Sequence, residues 1–320
     1  MKIVIIGGGP AALESAIAAR KTDNGAEIAV YSAENSLPYR RPALSGLLAA
    51  NKKVDEKSFY IKTAEFFAAE NIRFISGVRA EKIEGNRVIF DSGESTEFDR
   101  LVIACGGNAC RPPIPGAEKG YILRTKADME VLTAKLDSGV KSAVIVGGGV
   151  LGLEIADSLL SRQIKTVVME ASPQLFPNRL APADAAALYE RLSQHENLQI
   201  ILNAKVAETS AEQVILQDGK IFPADLVIFA TGSRPELALA QSAGLACDRG
   251  VIVDEFMTTS RKDIFAAGDV AQFNGKCFNL YMDAVASGKS AGANAAGAHT
   301  PFAAKETPMR LMALGEKLVM

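Results

Sequence analysis

The sequence predicts an α/β fold with two domains, each built on a parallel β-sheet. The chain has 320 residues, more than the ~250–300 at which one hydrophobic core usually divides into two. An apolar strand, a glycine-rich turn and an alanine-rich helix occur in this order twice, starting at Lys2 and at Ser142. Each copy is followed by a second apolar strand. Strands that alternate with helices form parallel sheets, because each helix carries the chain back across the sheet.

The two copies of this pattern match in detail. The first is KIVIIGGGPAALESAIAAR followed by EIAVYSAE, and the second is SAVIVGGGVLGLEIADSLL followed by KTVVME. In such a motif the first glycine allows a tight turn, the second lets the backbone approach a pyrophosphate, and the third position packs the helix on the strand. These positions are Gly7, Gly9 and Ala12 in the first copy and Gly147, Gly149 and Gly152 in the second. We therefore predict two Rossmann-like nucleotide-binding domains.

The residues around each glycine turn indicate how a dinucleotide is bound. A helix N-terminus directs N–H groups and a positive dipole at a phosphate. The first helical residues are Pro10 and Ala11 in one copy and Val150 and Leu151 in the other. Glu34 and Glu170 end the strands that follow the two copies, and an acid there accepts the ribose hydroxyls. Because Glu170 would repel a 2′-phosphate, the second site favours NADH over NADPH.

Composition and charge exclude several classes of function. The net charge of −2 argues against nucleic acid or an anionic membrane as a partner. No apolar run approaches the ~18 residues that a membrane span needs. The cysteines form neither a CxxC pair nor zinc-like spacing, and MKIVIIGGG is too short for a signal peptide. We expect a cytoplasmic protein with reduced cysteines and without a metal site.

Three further segments complete a series of five motifs. FDRLVIACGG and ADLVIFATGSRP are apolar strands that end in small-residue turns, and DIFAAGDVA places Asp269 just after a strand. Together with the glycine motifs, they resemble the FAD- and NAD-dependent pyridine nucleotide-disulfide oxidoreductases, which have the glutathione-reductase-type fold. The resemblance covers nearly the whole chain. It implies that the first glycine motif binds FAD, that the second binds NAD(P)H, and that Asp269 hydrogen-bonds the ribityl chain of the flavin; Glu170 favours NADH at the second motif.

The same resemblance implies a domain organisation. Residues 1–110 and 236–300 would form a discontinuous FAD-binding domain, and residues 111–235 an inserted NAD(P)H-binding domain. Residues 301–320 would be the start of a C-terminal interface domain that is otherwise largely absent. Because that domain supplies the subunit interface in relatives, we expect a monomer or a weak homodimer.

Within the family, LPYRRPALS resembles the NADH-dependent rubredoxin and ferredoxin reductases and the flavin part of nitrite reductase. Arg41 and Pro42 match a pair beside the flavin, and Glu154 matches a glutamate near the contact of flavin and nicotinamide. These three are the implied catalytic residues. The residues implied to contact FAD are Gly7, Gly9, Pro10, Ala11, Ala12, Glu34, Arg41, Pro42, Ala80, Ala104, Cys105, Gly106, Asp269, Tyr281 and Met282. Those implied to contact NADH are Gly147, Gly149, Val150, Leu151, Gly152, Glu154, Glu170 and Gly232.

Several residues around the implied flavin site depart from the family pattern. Many relatives carry a lysine after LS, where this chain has Gly46, and a threonine where it has Cys105. Tyr281, followed by Met282, stands where a tryptophan is common. SAENSLPYRRPALSG lacks the cysteine that some flavoenzymes hold against the flavin. A disulfide relay needs a thiolate at the flavin, so we predict that electrons leave the flavin directly.

Three functions follow from the resemblance. The first, which we favour, is NADH oxidation with electron transfer to a small carrier protein such as rubredoxin or ferredoxin, because a reduced flavin can release electrons singly. The second is an NADH oxidase or a disulfide or persulfide reductase. The missing active-site cysteine disfavours it, although oxygen reduction needs no cysteine. The third is a flavin subunit that couples NADH oxidation to a larger redox complex.

Overall fold

The computed structural model of the chain describes residues 1–303 and 307–320. Residues 304–306, which belong to the predicted start of an interface domain, lie outside the described residues. The predicted α/β class is confirmed, because helices alternate with the strands of two parallel sheets. Within the two described ranges, no helix is long and apolar enough to cross a bilayer.

Helices and strands are numbered in chain order. The α-helices of the described chain are α1 (Pro10–Thr22), α2 (Glu56–Phe59), α3 (Ala64–Ala69), α4 (Lys126–Asp137), α5 (Val150–Ser161), α6 (Pro182–Leu192), α7 (Ala238–Ser242) and α8 (Tyr281–Ala295). Its β-strands are β1 (Lys2–Ile6), β2 (Glu27–Ser32), β3 (Ile72–Ser76), β4 (Ala80–Glu84), β5 (Arg87–Phe90), β6 (Ser95–Glu97), β7 (Arg100–Ile103), β8 (Gly107–Ala109), β9 (Tyr121–Ile122), β10 (Ser142–Val146), β11 (Lys165–Met169), β12 (Leu198–Ile201), β13 (Val206–Thr209), β14 (Gln213–Leu216), β15 (Ile221–Pro223), β16 (Leu226–Phe229), β17 (Ser233–Pro235), β18 (Val251–Val253), β19 (Ile264–Ala266), β20 (Ala271–Phe273), β21 (Lys276–Cys277), β22 (Arg310–Ala313) and β23 (Glu316–Val319).

The first of two compact units comprises Met1–Arg40, Asp55–Asn108 and Arg234–Thr307. Its main sheet has the strand order β19-β7-β1-β2-β3, and every neighbouring pair is parallel. Central parallel strands are covered on both faces and are therefore apolar over their whole length; Ile5 and Val102 are fully buried. Helices α1 and α8 pack against each other, and α8 also contacts β7 and β19 of this sheet.

The second unit comprises Arg41–Val54, Ala109–Ser233 and Pro308–Met320. Its main sheet has the strand order β12-β11-β10-β16-β9 and is also parallel throughout. The C-terminal hairpin β22–β23 packs on α5, where the Leu314 N–H donates to Asp157 Oδ1 at 3.0 Å. The sheet core and both glycine-turn patterns are thus arranged as the sequence predicts.

Residues 41–54 pack in the second unit, whereas the sequence grouped them with the first domain. Helix α5 holds this segment by its side chains. Ser158 Oγ donates to the carbonyl of Ser45 at 2.8 Å, and Arg162 Nε donates to the carbonyl of Leu48 at 2.5 Å. The first bond joins two residues that are 113 positions apart in the sequence, and the second joins two that are 114 positions apart. Local sequence patterns do not report such contacts.

Arg20 is expected to stabilise the first unit strongly. Its side chain is 8% exposed and donates four hydrogen bonds, to the carbonyls of Asp23, Asn24, Glu70 and Asn71. These carbonyls lie at the ends of α1 and α3, where helix carbonyls lack intrahelical donors. Arg20→Met keeps most of the packing but leaves them unsatisfied. We expect a loss of about 2–4 kcal/mol in the free energy of unfolding, measured by urea denaturation.

The neighbouring Lys21 is exposed and provides the matched control. Lys21→Met should change the free energy of unfolding by less than about 0.5 kcal/mol. Equal stabilities of the two variants would show that the Arg20 hydrogen bonds contribute nothing measurable.

Candidate functional site

The first glycine turn lies at the carboxyl end of β1, in the first unit. Gly7 has a φ of +139°, and a Cβ built on it would lie 2.1 Å from the carbonyl oxygen of Ala104. A side chain there would displace the next strand, so the position requires glycine. Gly9 forms the N-cap of α1 without a side-chain cap, and a Cβ built on it meets no atom within 4 Å. The N-terminus of α1, formed by Pro10, Ala11 and Ala12, therefore faces open space that suits a phosphate.

Further predicted FAD contacts converge on this turn. Strands β19, β7 and β1 are neighbours, so their carboxyl ends bring Asp269 and the segment Ala104–Gly106 together. A Cβ built on Gly268 would lie 2.8 Å from the Cβ of Ala11. Asp269 is therefore next to the first turn of α1, where ligands of open parallel sheets bind.

The acids after β2 and β11 do not occupy equivalent positions. Tyr31 pairs with the last residue of β1, and Met169 pairs with the last residue of β10. The residues that follow them, Ser32 and Glu170, therefore occupy equivalent positions. Strand β2 ends at Ser32, two residues earlier than the sequence suggests. Glu34 lies beyond it, and its carboxylate accepts a hydrogen bond of 2.6 Å from the Tyr39 hydroxyl. A role for Glu34 at the FAD ribose stays a prediction.

The remaining predicted FAD contacts of the first unit lie on other elements. Ala80 begins β4, which follows the edge strand of the sheet. Tyr281 is the first residue of α8, and burial raises the pKa of its phenol. Met282 follows it and is 57% exposed.

The second glycine turn repeats the first turn in the second unit. Gly147 has a φ of +119°, and a Cβ built on it would lie 2.4 Å from the carbonyl oxygen of Ala230. Gly149 is the N-cap of α5 and has no side chain to cap the helix, and a Cβ built on Gly149 would meet no atom within 4 Å. Val150 and Leu151 start the helix, and a Cβ on Gly152 would lie 2.0 Å from the Gly147 carbonyl oxygen. The same turn geometry is thus present in both units, and the binding of a pyrophosphate at each turn stays a prediction.

A cavity of about 470 Å³ opens beside this second turn. Its lining includes the glycine turn, Glu170, Lys205 and Thr231, and its volume is that of a small-molecule site. Glu170 accepts one hydrogen bond from the Gly148 N–H at 3.0 Å and one from the Ser172 N–H at 2.9 Å. Both carboxylate oxygens are therefore held in place at the cavity wall. Gly232 lies one residue beyond Thr231.

Glu154 and Ser45 form a pair on the same unit. Ser45 Oγ donates to Glu154 Oε2 at 2.8 Å, and Ser45 is 4% exposed. Burial raises the pKa of the Glu154 carboxyl; the Ser45 hydrogen bond acts in the opposite direction, and the nearby Asp157 raises the pKa further. The result is a carboxyl group that takes up a proton more readily than an exposed glutamate.

Arg41 and Pro42 lie in the second unit, in a 3-10 helix over Arg41–Ala43. The Arg41 guanidinium donates to the carbonyl of Arg124. The two residues are therefore grouped with the second glycine turn, while the other predicted FAD contacts lie in the first unit. Their predicted place beside the flavin stays a prediction.

Cys105 is a poor candidate for a redox thiol. It is partly buried, and its Sγ donates to the carbonyl of Glu236 at 3.5 Å. Burial and the negative charge of Glu236 raise the pKa of the thiol to about 12. The thiolate is the reactive form of cysteine, and at neutral pH this form is essentially unpopulated here. All four cysteines are free.

Sequence reasoning missed several residues of these sites. Lys205 and Thr231 line the cavity, and Ser45 bonds Glu154. Thr231 belongs to a strand-ending turn of the kind that the sequence did identify. Ser45 and Glu154 are 109 residues apart, so no spacing pattern indicates their contact. Lys205 follows β12 without any motif.

Comparisons with known proteins agree with this geometry. The family model described as pyridine nucleotide-disulphide oxidoreductase matches residues 1–297. Putidaredoxin reductase of Pseudomonas putida is 31% identical over 294 residues, which cover 88% of this chain and 69% of that protein. Rubredoxin-NAD(+) reductase of Ectopseudomonas oleovorans is 32% identical over 280 residues, which cover 85% of this chain and 72% of that protein. The crystal structure of NADH:rubredoxin oxidoreductase from Clostridium acetobutylicum aligns with a TM-score of 0.85 at 28% identity, over 99% of this chain and 81% of that chain.

Proposed function

Because the chain belongs to the pyridine nucleotide-disulphide oxidoreductase family, we propose that it oxidises NADH through FAD and passes the electrons to a small redox protein of the rubredoxin or ferredoxin type. The observation that carries the proposal is the pair of glycine turns, each with a helix N-terminus that faces open space. Two relatives bear the names putidaredoxin reductase and rubredoxin-NAD(+) reductase, which supports a carrier protein as the acceptor.

The first unit fits FAD. The turn at Gly7 and Gly9 would hold the pyrophosphate, and Asp269 beside α1 would bond the ribityl chain. When bound, FAD supplies the capacity to take two electrons from NADH and to release them one at a time. The protein contributes orientation and exclusion of water. Residues 1–110 and 236–300, without the segment 41–54 that packs in the second unit, are our proposal for the FAD-binding domain.

The second unit fits NADH. The turn at Gly147 and Gly149 would hold the pyrophosphate, and Glu170 on the cavity wall would accept the adenosine ribose hydroxyls. Residues 111–235 are our proposal for the NADH-binding domain. The segment 41–54, which α5 holds in the same unit, would bring Arg41 and Pro42 to the reacting end of the dinucleotide.

Direct electron transfer agrees with the cysteine chemistry. The Cys105 thiol has a pKa of about 12, and a thiol relay requires a thiolate. Free cysteines also suit a reducing compartment, so we place the activity in the cytoplasm.

The proposal is tested with a panel of acceptors under anaerobic conditions. Purified protein with bound FAD should reduce a rubredoxin and a ferredoxin with NADH, and should also reduce ferricyanide. Glutathione disulfide and coenzyme A disulfide should be poor acceptors. Rapid turnover with a disulfide and none with either carrier protein would overturn the proposal.

NADH should be preferred to NADPH by at least about tenfold in kcat/KM, because the fixed Glu170 carboxylate would face the 2′-phosphate. Repulsion between two such charges in a partly buried cavity is worth more than about 1.4 kcal/mol, which corresponds to a factor of ten. Glu170→Gln should remove most of the preference while it keeps the side-chain shape.

Glu190→Gln on the exposed face of α6 is the matched control and should leave the preference unchanged. Equal kcat/KM for the two nucleotides in the unaltered protein would contradict the role of Glu170.

A further inference from the structure

The topology of the second unit indicates where the nicotinamide end of the dinucleotide lies. In this kind of fold the adenosine ribose binds at the acid after the second strand and the pyrophosphate at the helix N-terminus. Glu170 therefore puts the adenosine on the β11 side of the glycine turn. The dinucleotide must continue in the opposite direction, toward β16, the neighbour of β10 on its other side.

The Ser45–Glu154 pair lies on that side. The 3-10 helix Gly46–Leu48, which directly follows Ser45, contacts both α4 and α5. Helix α5 connects β10 to β11, whereas α4 comes from β9 at the far edge of the sheet. The face of α5 that meets α4 and this segment is thus turned away from the adenosine side. Glu154 belongs to this face and lies just beyond the first turn of α5.

Among the described residues, Ser45 and Asp157 are the groups that shift the pKa of Glu154, and they act in opposite directions. Asp157, on the same helix, is the charged group of the two, and it raises the pKa. Segment 41–54, which packs on the same helix, carries Arg41, which donates to the Arg124 carbonyl, and the exposed Lys52 and Lys53. Arg162, at the end of α5, bonds a carboxylate of α4 at 2.7 Å. Lys165 begins β11 at the end opposite the glycine turn, and Arg310 is exposed at the start of β22.

We propose that Ser45 is a positioning residue that holds the Glu154 carboxyl at the nicotinamide end of the NADH site, and that this pair makes the discrimination between NAD+ and NADH depend on pH. The inference rests on the proposed function. The oxidised nicotinamide ring carries a positive charge and the reduced ring carries none. An ionised Glu154 therefore attracts only the oxidised form, and a protonated Glu154 attracts neither.

The direction of the effect follows from the two protonation states. Burial raises the pKa of the Glu154 carboxyl. As the pH rises through this pKa, affinity for NAD+ should increase by about tenfold, and affinity for an uncharged ring should not change. The Ser45 hydroxyl donates to the carboxylate and so favours the ionised state.

The experiment measures binding instead of turnover. The dissociation constants of NAD+ and of tetrahydro-NAD, an analogue whose reduced ring is uncharged and does not donate a hydride, are determined by calorimetry on the oxidised FAD-loaded protein between pH 5 and 9. The ratio of the two constants should change about tenfold with pH. Glu154→Gln should abolish the change. Ser45→Ala should move the midpoint of this change to higher pH, and Ser45→Thr should keep it, because only threonine retains the hydroxyl donor.

Glu190→Gln is again the matched control and should reproduce the unaltered pH dependence. If Ser45→Ala does not fold, as judged by circular dichroism, Ser45→Cys keeps the size of the side chain but donates more weakly, so it should move the midpoint in the same direction, and Glu154→Gln still tests the carboxyl. A pH-independent ratio in the unaltered protein, or a pH-dependent ratio that survives in Glu154→Gln, would overturn the inference but leave the proposed function intact. Absence of any nucleotide binding would instead overturn the proposed function.

Discussion

Gly149→Glu is expected to abolish NADH oxidation while FAD and the fold are retained. The N-cap of α5 has φ −77° and ψ −176°, an extended conformation that any residue adopts, and a built Cβ meets no atom within 4 Å. The apoprotein can therefore accept the glutamate. Its carboxylate would lie where the pyrophosphate must bind, and repulsion together with lost space should weaken NADH binding at least about 100-fold.

The first unit offers a matched variant. Gly9 caps α1 in the same conformation, with φ −89° and ψ −175° and the same open space. Gly9→Glu should give a protein that folds and binds NADH but does not retain FAD. Calorimetry with NADH and the flavin absorbance of the purified variants separate the two cases. If the Gly149→Glu protein lost FAD, or if it bound NADH as well as the unaltered protein does, the assignment of FAD to the first turn and NADH to the second would be wrong.

Asp269→Ala should reduce the affinity for FAD by about 10- to 150-fold. A charge-assisted hydrogen bond to the ribityl chain contributes about 1.5–3 kcal/mol, and Asp269 lies beside the first turn of α1. The affinity is measured by the quenching of flavin fluorescence when the apoprotein is titrated with FAD.

One control variant makes this result specific. Glu94→Ala removes an exposed carboxylate from a turn of the same unit and should not change the affinity. Unaltered FAD affinity in Asp269→Ala would remove that residue from the site. A purified protein that contains FMN would contradict the assignment of the whole first unit.

The glycine turns were predictable because their requirements are local. A positive φ at Gly7 and Gly147 and open space at Gly9 and Gly149 follow from a strand, a turn and a helix that are contiguous in the chain. The convergence of Asp269 with the first turn was also predictable, since the carboxyl ends of parallel strands meet at one edge of a sheet.

Other features depend on contacts between distant residues and could not be predicted in this way. The pairing of Ser45 with Glu154 joins residues 109 positions apart, and side chains of α5 bring the segment 41–54 into the second unit. The register of β2 places Ser32, not an acid, opposite Gly8. This difference arises because β2 ends two residues before Glu34, and strand ends are set by pairing in the sheet.

The central claim is that electrons leave the flavin without a thiol relay. Its most direct test is a cysteine-free protein that carries Cys105→Thr, since a threonine hydroxyl can replace the Sγ bond to the Glu236 carbonyl, and serine at the other three cysteines. This protein should keep FAD and reduce both ferricyanide and a rubredoxin with NADH at close to the original rate under anaerobic conditions. A cysteine-free protein that binds FAD and NADH normally but no longer reduces these acceptors would contradict the claim and identify a thiol in the electron path.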